Sequence, residues 1–438
     1  MGWVFGSGSV PPPIFFPGQK SNGEWHLSSY EDIDLGFRRV AIKEGVMDLF
    51  DKCTAFTDAK EAQAAGLYPY FIPLTDSEGT VAWVGDHRLV MIGSNNYLGL
   101  TTHPKVRQAA EEAITTYGTS CTGSRFLNGT LALHLELERR LADFVGKEAA
   151  LVFSTGYQTN VGTISALVGR KDYAVTDKED HASILDGCRL SYGKMRRYPH
   201  NDLEGLERVL NGLPDDAARL VIVDGVFSMG GDIAPLPDLI EVCQRNGARL
   251  MVDDAHSVGV LGDGRGTAAH FGVADEVDLI MGTFSKSFAS LGGFIAGDAD
   301  VIHYIQHHAR SLIFSASIAP SNAAAALAAL EVMQEEPQRC QRVMEIAERM
   351  RAGYRELGFD VGNSQTPIVP VIFGQDETTF MAWKMLYEAG VYTNPVISPA
   401  VPEGQSLLRT SYMATHKDEE LDFVLEAFAQ VGHTLGVI

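Results

Sequence analysis

The chain has 438 residues, 45% of them apolar and 21% charged, the composition of a soluble globular protein with room for two or three domains. That excludes a small disulfide or metal scaffold and wholesale disorder. Lys and Arg number 35 against 56 Asp and Glu, a net charge of −21, the wrong sign for a phosphate-backbone binder, so nucleic acid is not an expected partner.

Residues 1–40 mix Gly, Ser and Pro with aromatics and read as a poorly ordered or partner-contacting arm, without the basic and apolar blocks of a secretory signal. Residues 41–88 form a further N-terminal segment. No stretch approaches the roughly 20 apolar residues of a spanning helix. Five scattered cysteines, Cys53, Cys121, Cys188, Cys243 and Cys340, show no CxxC spacing and suit reduced thiols in the cytoplasm, with no metal site.

From Leu89 short apolar runs alternate with amphipathic stretches: LVMIG, PKVRQAAEEAITTYG, a helix within 130–146, then ALVFS. The rhythm continues through YAVT (173–176), RLVIVDG (219–225), RLMVDD (249–254) and DLIMGTF (278–284). This predicts an α/β fold, a large domain over 89–325 with a mostly parallel sheet covered by helices. Pro237 and Gly247 bracket one helix, and Asn201 with Glu204 has capping-box character. A smaller C-terminal α/β domain over 326–438 is expected from an Ala-rich helix, a charged helix, the runs PIVPVIF and LLRTSY, and a last helix. Lys194, Arg196 and Arg197 are read as a solvated basic edge.

Ligands of open α/β sheets collect beyond the carboxyl ends of the strands, so the polar residues that end each run carry the chemistry. Gly156 and Tyr157 enter a helix whose N-terminus can hold a phosphate. His181 follows a second run, Asp253 and His256 end a third, and Thr283, Ser285 and Lys286 end a fourth. A phosphate cradle, an imidazole, a carboxylate and a lysine are the equipment for pyridoxal phosphate. Lys286 is the expected Schiff-base residue and proton acceptor, Asp253 the partner of the ring nitrogen, His181 the stacking residue and His256 the ring-hydroxyl contact. His303 and His307 have i,i+4 spacing but no further ligand and are read as surface, and GDGRG (262–266) as a turn.

With SNNYLGL (94–100), TGSRFLNGT (122–130), FSTGY (153–157), DHASILDG (180–187), DGVFSMGGD (224–232), DDAHSVGVLG (253–262), GTFSKS (282–287) and LLRTS (407–411), the chain resembles the α-oxoamine synthase family of fold-type I pyridoxal-phosphate transferases over about 46–438. The resemblance implies decarboxylative joining of an amino acid to an acyl thioester, carried by coenzyme A or an acyl carrier protein. It also implies a homodimer with shared sites, Ser315 reaching the neighbouring subunit's phosphate, and Arg409 with Asn95 or Asn96 holding the substrate carboxylate. MRRYPHND (195–202), LLRTSYMATH (407–416), and SMGGD (228–232) where many relatives carry SMDGD, resemble the serine-using, long-chain branch. The alanine-plus-pimeloyl and glycine-plus-acetyl branches remain open, as does a non-catalytic partner subunit. A cytoplasmic protein, with peripheral membrane contact for a lipid product, is expected.

Overall fold

The structure, a computed structural model, describes residues 48–438; the arm at 1–40 lies outside them. Contacts divide the chain into Met1–Gln63 and Ala64–Ile438. Within the first, the short helix Asp51–Ala55 buries no residue.

The second unit carries the strands β1 (Asp76–Glu78), β2 (Val81–Val84), β3 (His87–Met91), β4 (Ala149–Phe153), β5 (Tyr173–Asp177), β6 (Lys194–Tyr198), β7 (Arg219–Asp224), β8 (Arg249–Asp253), β9 (Leu279–Thr283), β10 (Gly293–Gly297), β11 (Ile368–Gly374), β12 (Val391–Tyr392), β13 (Asn394–Val396) and β14 (Ser406–Ser411). They form three sheets, ordered β1-β2-β3-β12, β4-β10-β9-β8-β7-β5-β6 and β11-β14-β13. In the seven-stranded sheet only β10 runs against its neighbours. LVMIG therefore joins the four-stranded sheet through β3, pairing with β12 from far along the chain.

Alternation along the central strands explains their burial on both faces. Val221 and Val223 enter one apolar cluster while Leu220 and Ile222 enter another on the opposite face. A third cluster fills the space between the three-stranded sheet and the helices Gln338–Leu357, Asp376–Ala389 and Asp418–Leu435. Two strands of the seven-stranded sheet escape the sequence pattern. The β6 segment KMRRY exposes Lys194, Arg196 and Arg197 at the sheet edge, where positive charge discourages pairing with another chain. The β10 segment GFIAG reads as turn-rich, yet Gly282 beside it receives the Phe294 ring so closely that a Cβ would meet it at 2.3 Å.

Helix boundaries follow local chemistry. Pro237 lies in the first turn of the helix Leu236–Arg245, and Gly247 beyond it has φ +60°. The helix Leu203–Asn211 is capped by Asp202, whose carboxylate accepts from Gly205 N, and not by Asn201 as the spacing suggested. Asn201 has φ +50° and donates its amide to Asp232 at 3.0 Å, so it belongs to the preceding turn. GDGRG is a turn with positive φ at Gly262, Gly264 and Gly266. All five cysteines are free, and His303 and His307 lie exposed on the helix Ala299–His308.

One buried ion pair locks the 122–130 loop to this framework. Arg125 donates to both oxygens of Glu138 at 2.7 and 3.1 Å, and Glu138 also accepts from Val152 N on β4. Removing one partner strands a charge away from water. Glu138→Ala should lower unfolding stability by about 3–5 kcal/mol in urea titration; an unchanged midpoint would show that the pair does not brace the loop.

Candidate active site

The residues that end β4, β5, β7, β8 and β9 meet around a cavity of about 250 Å³ at the carboxyl edge of the seven-stranded sheet. Gly156, Tyr157, His181, Asp253, His256, Thr283, Ser285 and Lys286 all line it, as the strand-end pattern requires. A larger cleft, about 630 Å³, opens at the opposite edge. Its cations are already matched: Lys147 donates to two carbonyls, Arg219 to two others and Arg249 to Asp278.

At one side of the cavity the helix Gly156–Leu167 begins. Thr155 caps it by accepting from Gln158 N at 3.1 Å, and the amides of a helix's first turn have no partners within the helix. Gly156 is required by close approach: a Cβ there would lie 2.6 Å from Thr283 Oγ1. Thr283 Oγ1 in turn lies 3.0 Å from Ser285 Oγ. The helix N-terminus and two hydroxyls thus surround one small space suited to a phosphate group. Tyr157 is half-exposed and bonds Asp186 through its hydroxyl. Ser315 accepts from Gln158 Nε2 at 3.0 Å, outside the cavity lining.

On the floor, Asp253 is buried with both oxygens engaged. Oδ1 accepts from Ala255 N at 3.0 Å and Oδ2 from Asn160 Nδ2 at 2.6 Å. The two N–H donors fix where the carboxylate sits. Lys286 faces it across the cavity, and desolvation brings its amine down to about 8, with Asp253 and Asp224 resisting and Arg409 assisting. Burial, then the Lys286 and Arg409 charges, hold His256 well below its ordinary value. His181 is lowered by desolvation too, with Asp253 opposing and Lys286 reinforcing.

Arg409 comes from β14, in a different sheet. It is buried, donates through Nε to Ser228 O at 2.6 Å, and makes no ion pair among the described residues. Tyr97 links this guanidinium to the cavity residue His256: its hydroxyl lies 2.7 Å from His256 Nδ1 and 3.3 Å from Asn95 Oδ1. Burial, opposed by Arg409, pushes the Tyr97 phenol up to about 12. Asn96 is a turn residue; its amide bonds Thr101 Oγ1 and its oxygen accepts from Leu100 N. Of the two asparagines, Asn95 is the one beside the site.

Sequence reasoning did not single out Tyr97, Asn160, Ser183 or Asp224. Asn160 stands four residues after Gly156, on the same helix face as the cradle. Asp224 ends β7 as Asp253 ends β8, so the strand-end rule could have reached it. Tyr97 lies in a loop and gives no periodic signal.

The architecture and site define the class: residues 88–428 match the model for aminotransferase class I and II, and the chain belongs to that family, with the fold-type I transferase fold. A serine palmitoyltransferase of Sphingobacterium spiritivorum is 50% identical over 384 residues, 87% of this chain and 96% of that protein. An 8-amino-7-oxononanoate synthase of Symbiobacterium thermophilum is 43% identical over 376 residues, 85% and 96%. A solved serine palmitoyltransferase from S. paucimobilis with bound PLP–myriocin aldimine is 36% identical, with a TM-score of 0.86, covering 90% of this chain and all of that one.

The lowered Lys286 amine gives a test independent of any cofactor. At pH 7 about one amine in ten is neutral, against about one in 3,000 for an ordinary lysine. Competitive acetylation of the cofactor-free protein, read by mass spectrometry, should show Lys286 titrating near pH 8; titration above pH 10 would overturn this.

Proposed function

We propose that the protein is a pyridoxal-phosphate-dependent acyltransferase that condenses L-serine with a long-chain, palmitoyl-type thioester. The thiol and carbon dioxide leave, and 3-ketodihydrosphingosine is the product. The observation that carries the reading is the pairing, across one cavity, of a buried carboxylate that accepts two N–H bonds and a lysine whose amine is lowered to about 8.

The residues present fit the cofactor. Gly156 leaves, against Thr283, room that no side chain could share, and the helix behind it offers free amides to an anion. Asp253 stands where a protonated ring nitrogen needs a counter-charge. Bound there, pyridoxal phosphate supplies an electron sink for the pair of electrons left when an amino acid loses its α-proton.

The chain's own residues do the rest. Lys286 Nζ would hold the cofactor and, with its amine lowered, is the base placed to take the proton from the amino acid's α-carbon. Arg409, rigid and desolvated, grips the carboxylate through its planar fork, so the α-carbon is presented in one orientation. Asn95 stands beside that grip. His256, held at Nδ1 by Tyr97, and His181 would help to hold the cofactor ring. The carbon–carbon bond forms between the deprotonated α-carbon and the thioester carbonyl, the thiolate departing. Loss of carbon dioxide then leaves the α-carbon to be reprotonated.

A homodimer completes the reading. Phe126, Leu127 and Phe314 are large apolar side chains exposed on loops, which a partner subunit would cover, with Ser315 beside them reaching its phosphate. Among the described residues no helix is long and apolar enough to cross a membrane. The proposed route to a lipid-like thioester is peripheral contact with the membrane's cytoplasmic face.

The test is an absorbance titration of the pyridoxal-phosphate-loaded protein with serine, alanine and glycine in parallel, followed by palmitoyl thioester. Serine should bind tightest and turn over. Alanine binding tighter, with pimeloyl thioester consumed, would move the protein to the 8-amino-7-oxononanoate branch, which the 43% identical relative keeps in view. Lys286→Ala should abolish the visible band of lysine-bound cofactor and lower turnover by a factor of at least about 1,000. An unchanged spectrum would refute the lysine assignment.

A further inference from the structure

We propose that Ser183 and Asn160 are positioning residues that, through one directed chain of hydrogen bonds, hold His181 neutral with its proton on Nε2 and Asp253 ionised. The inference rests on the reading of the cavity as a pyridoxal-phosphate site and adds to it the protonation state in which two of its groups are held.

Donor and acceptor counting fixes the direction. The backbone N–H of Ser183 points at His181 Nδ1 from 3.2 Å, and an N–H can only donate, so Nδ1 is bare. The Ser183 hydroxyl, 2.7 Å from the same nitrogen, must then donate to it as well. That leaves the hydroxyl oxygen to accept, and Asn160 Nδ2 supplies a proton at 2.8 Å. The second proton of Nδ2 goes to Asp253 Oδ2 at 2.6 Å. Asn160 and Ser183 are each 1% exposed, so water does not compete for these bonds. A proton on Nδ1 would face two donors, and a proton on Asp253 Oδ2 would face the amide; both states are disfavoured together.

The charges around His181 make this useful. Asp253 and Lys286 face the ring, His256 stands beyond them, and the Asp224 carboxyl lies against the backbone N–H of His181. A protonated imidazole would set a second cation beside Lys286 and draw charge from Asp253, the counter-charge of the ring nitrogen. With Nδ1 occupied, His181 covers the cofactor face as a neutral ring and presents Nε2–H as a donor.

The test compares the pyridoxal-phosphate-loaded wild type with Ser183→Ala and with Ser183→Thr, which restores the hydroxyl. The acid limb of the visible band's pH titration, and of kcat/KM, should move up by about 0.5–1 pH unit in Ser183→Ala, the worth of one lost hydrogen bond, and return in Ser183→Thr. Asn160→Ala should weaken cofactor binding about 5–10-fold in equilibrium dialysis, since Asp253 loses one donor. Should Ser183→Ala not fold, Ser183→Cys, a weaker donor, should give an intermediate shift. A Ser183→Ala or Ser183→Cys limb identical to wild type, or Thr behaving as Ala, overturns the proposal. A wild type that shows no visible band defeats the cofactor reading instead, so the two failures are distinct.

Discussion

Keeping a negative charge at Asp253, inside the protein, is the constraint around which the site is arranged. The carboxylate ends a central strand with Asp224 on one neighbouring strand, and Asp254 follows it in sequence. Like charges this close cannot all ionise in a desolvated space. Burial, and then neighbouring carboxylates, lift Asp224 and Asp180 well above the carboxylate range, while Asp253 is seated by two N–H donors. Burial likewise raises Asp254 to about 6, against donors from Ser257 and Thr267, which tie it into the turn beneath.

The same edge has a second acidic knot with a different solution. Asp177 and Asp232 hold His200 at 3.1 and 2.9 Å; burial works against its charge, but the two carboxylates prevail and lift it to about 10. Asp180 braces the strand ends, accepting from Asp224 N and Asp177 N. The floor of the cavity is therefore rigid before any ligand arrives. Arg409 reaches it from another sheet because the 93–99 segment is clamped between them. Ser411 donates to Ile92 O through N and to Ser94 O through its hydroxyl, each at 2.7 Å, and Asn394 bonds Gly93 O. Gly99, with φ +68°, leaves no room for a Cβ beside Thr415, 2.4 Å away.

Much of this was legible in the sequence, for a physical reason. Strands buried on both faces must be runs of Val, Ile and Leu, so a Asp, His or Lys that ends such a run stands out, and Asp253, His256 and Lys286 were found that way. What escaped lacks that contrast. β6 is an edge strand with few apolar positions, and β10 is rich in Gly because Phe284, Phe294 and the start of the Gly156 helix crowd it. Tyr97, Asn160 and Ser183 act by touching other functional groups, and contact between residues 97 and 256, or 160 and 253, is a property of the folded chain.

Gly230 stands in the SMGGD turn, and the structure shows what holds that turn. A Cβ there would approach Asp232 Oδ1 to 2.5 Å, and Asp232 is already held by His200 and Asn201. The next residue, Gly231, has φ +70° and lies so near Ile368 O, 2.3 Å from an added Cβ, that the turn is pressed against β11. Ser228, two residues before Gly230, offers the carbonyl that accepts from Arg409 Nε. The glycine pair thus packs the turn that carries the Ser228 carbonyl against β11, and through that carbonyl it bears on the placement of Arg409.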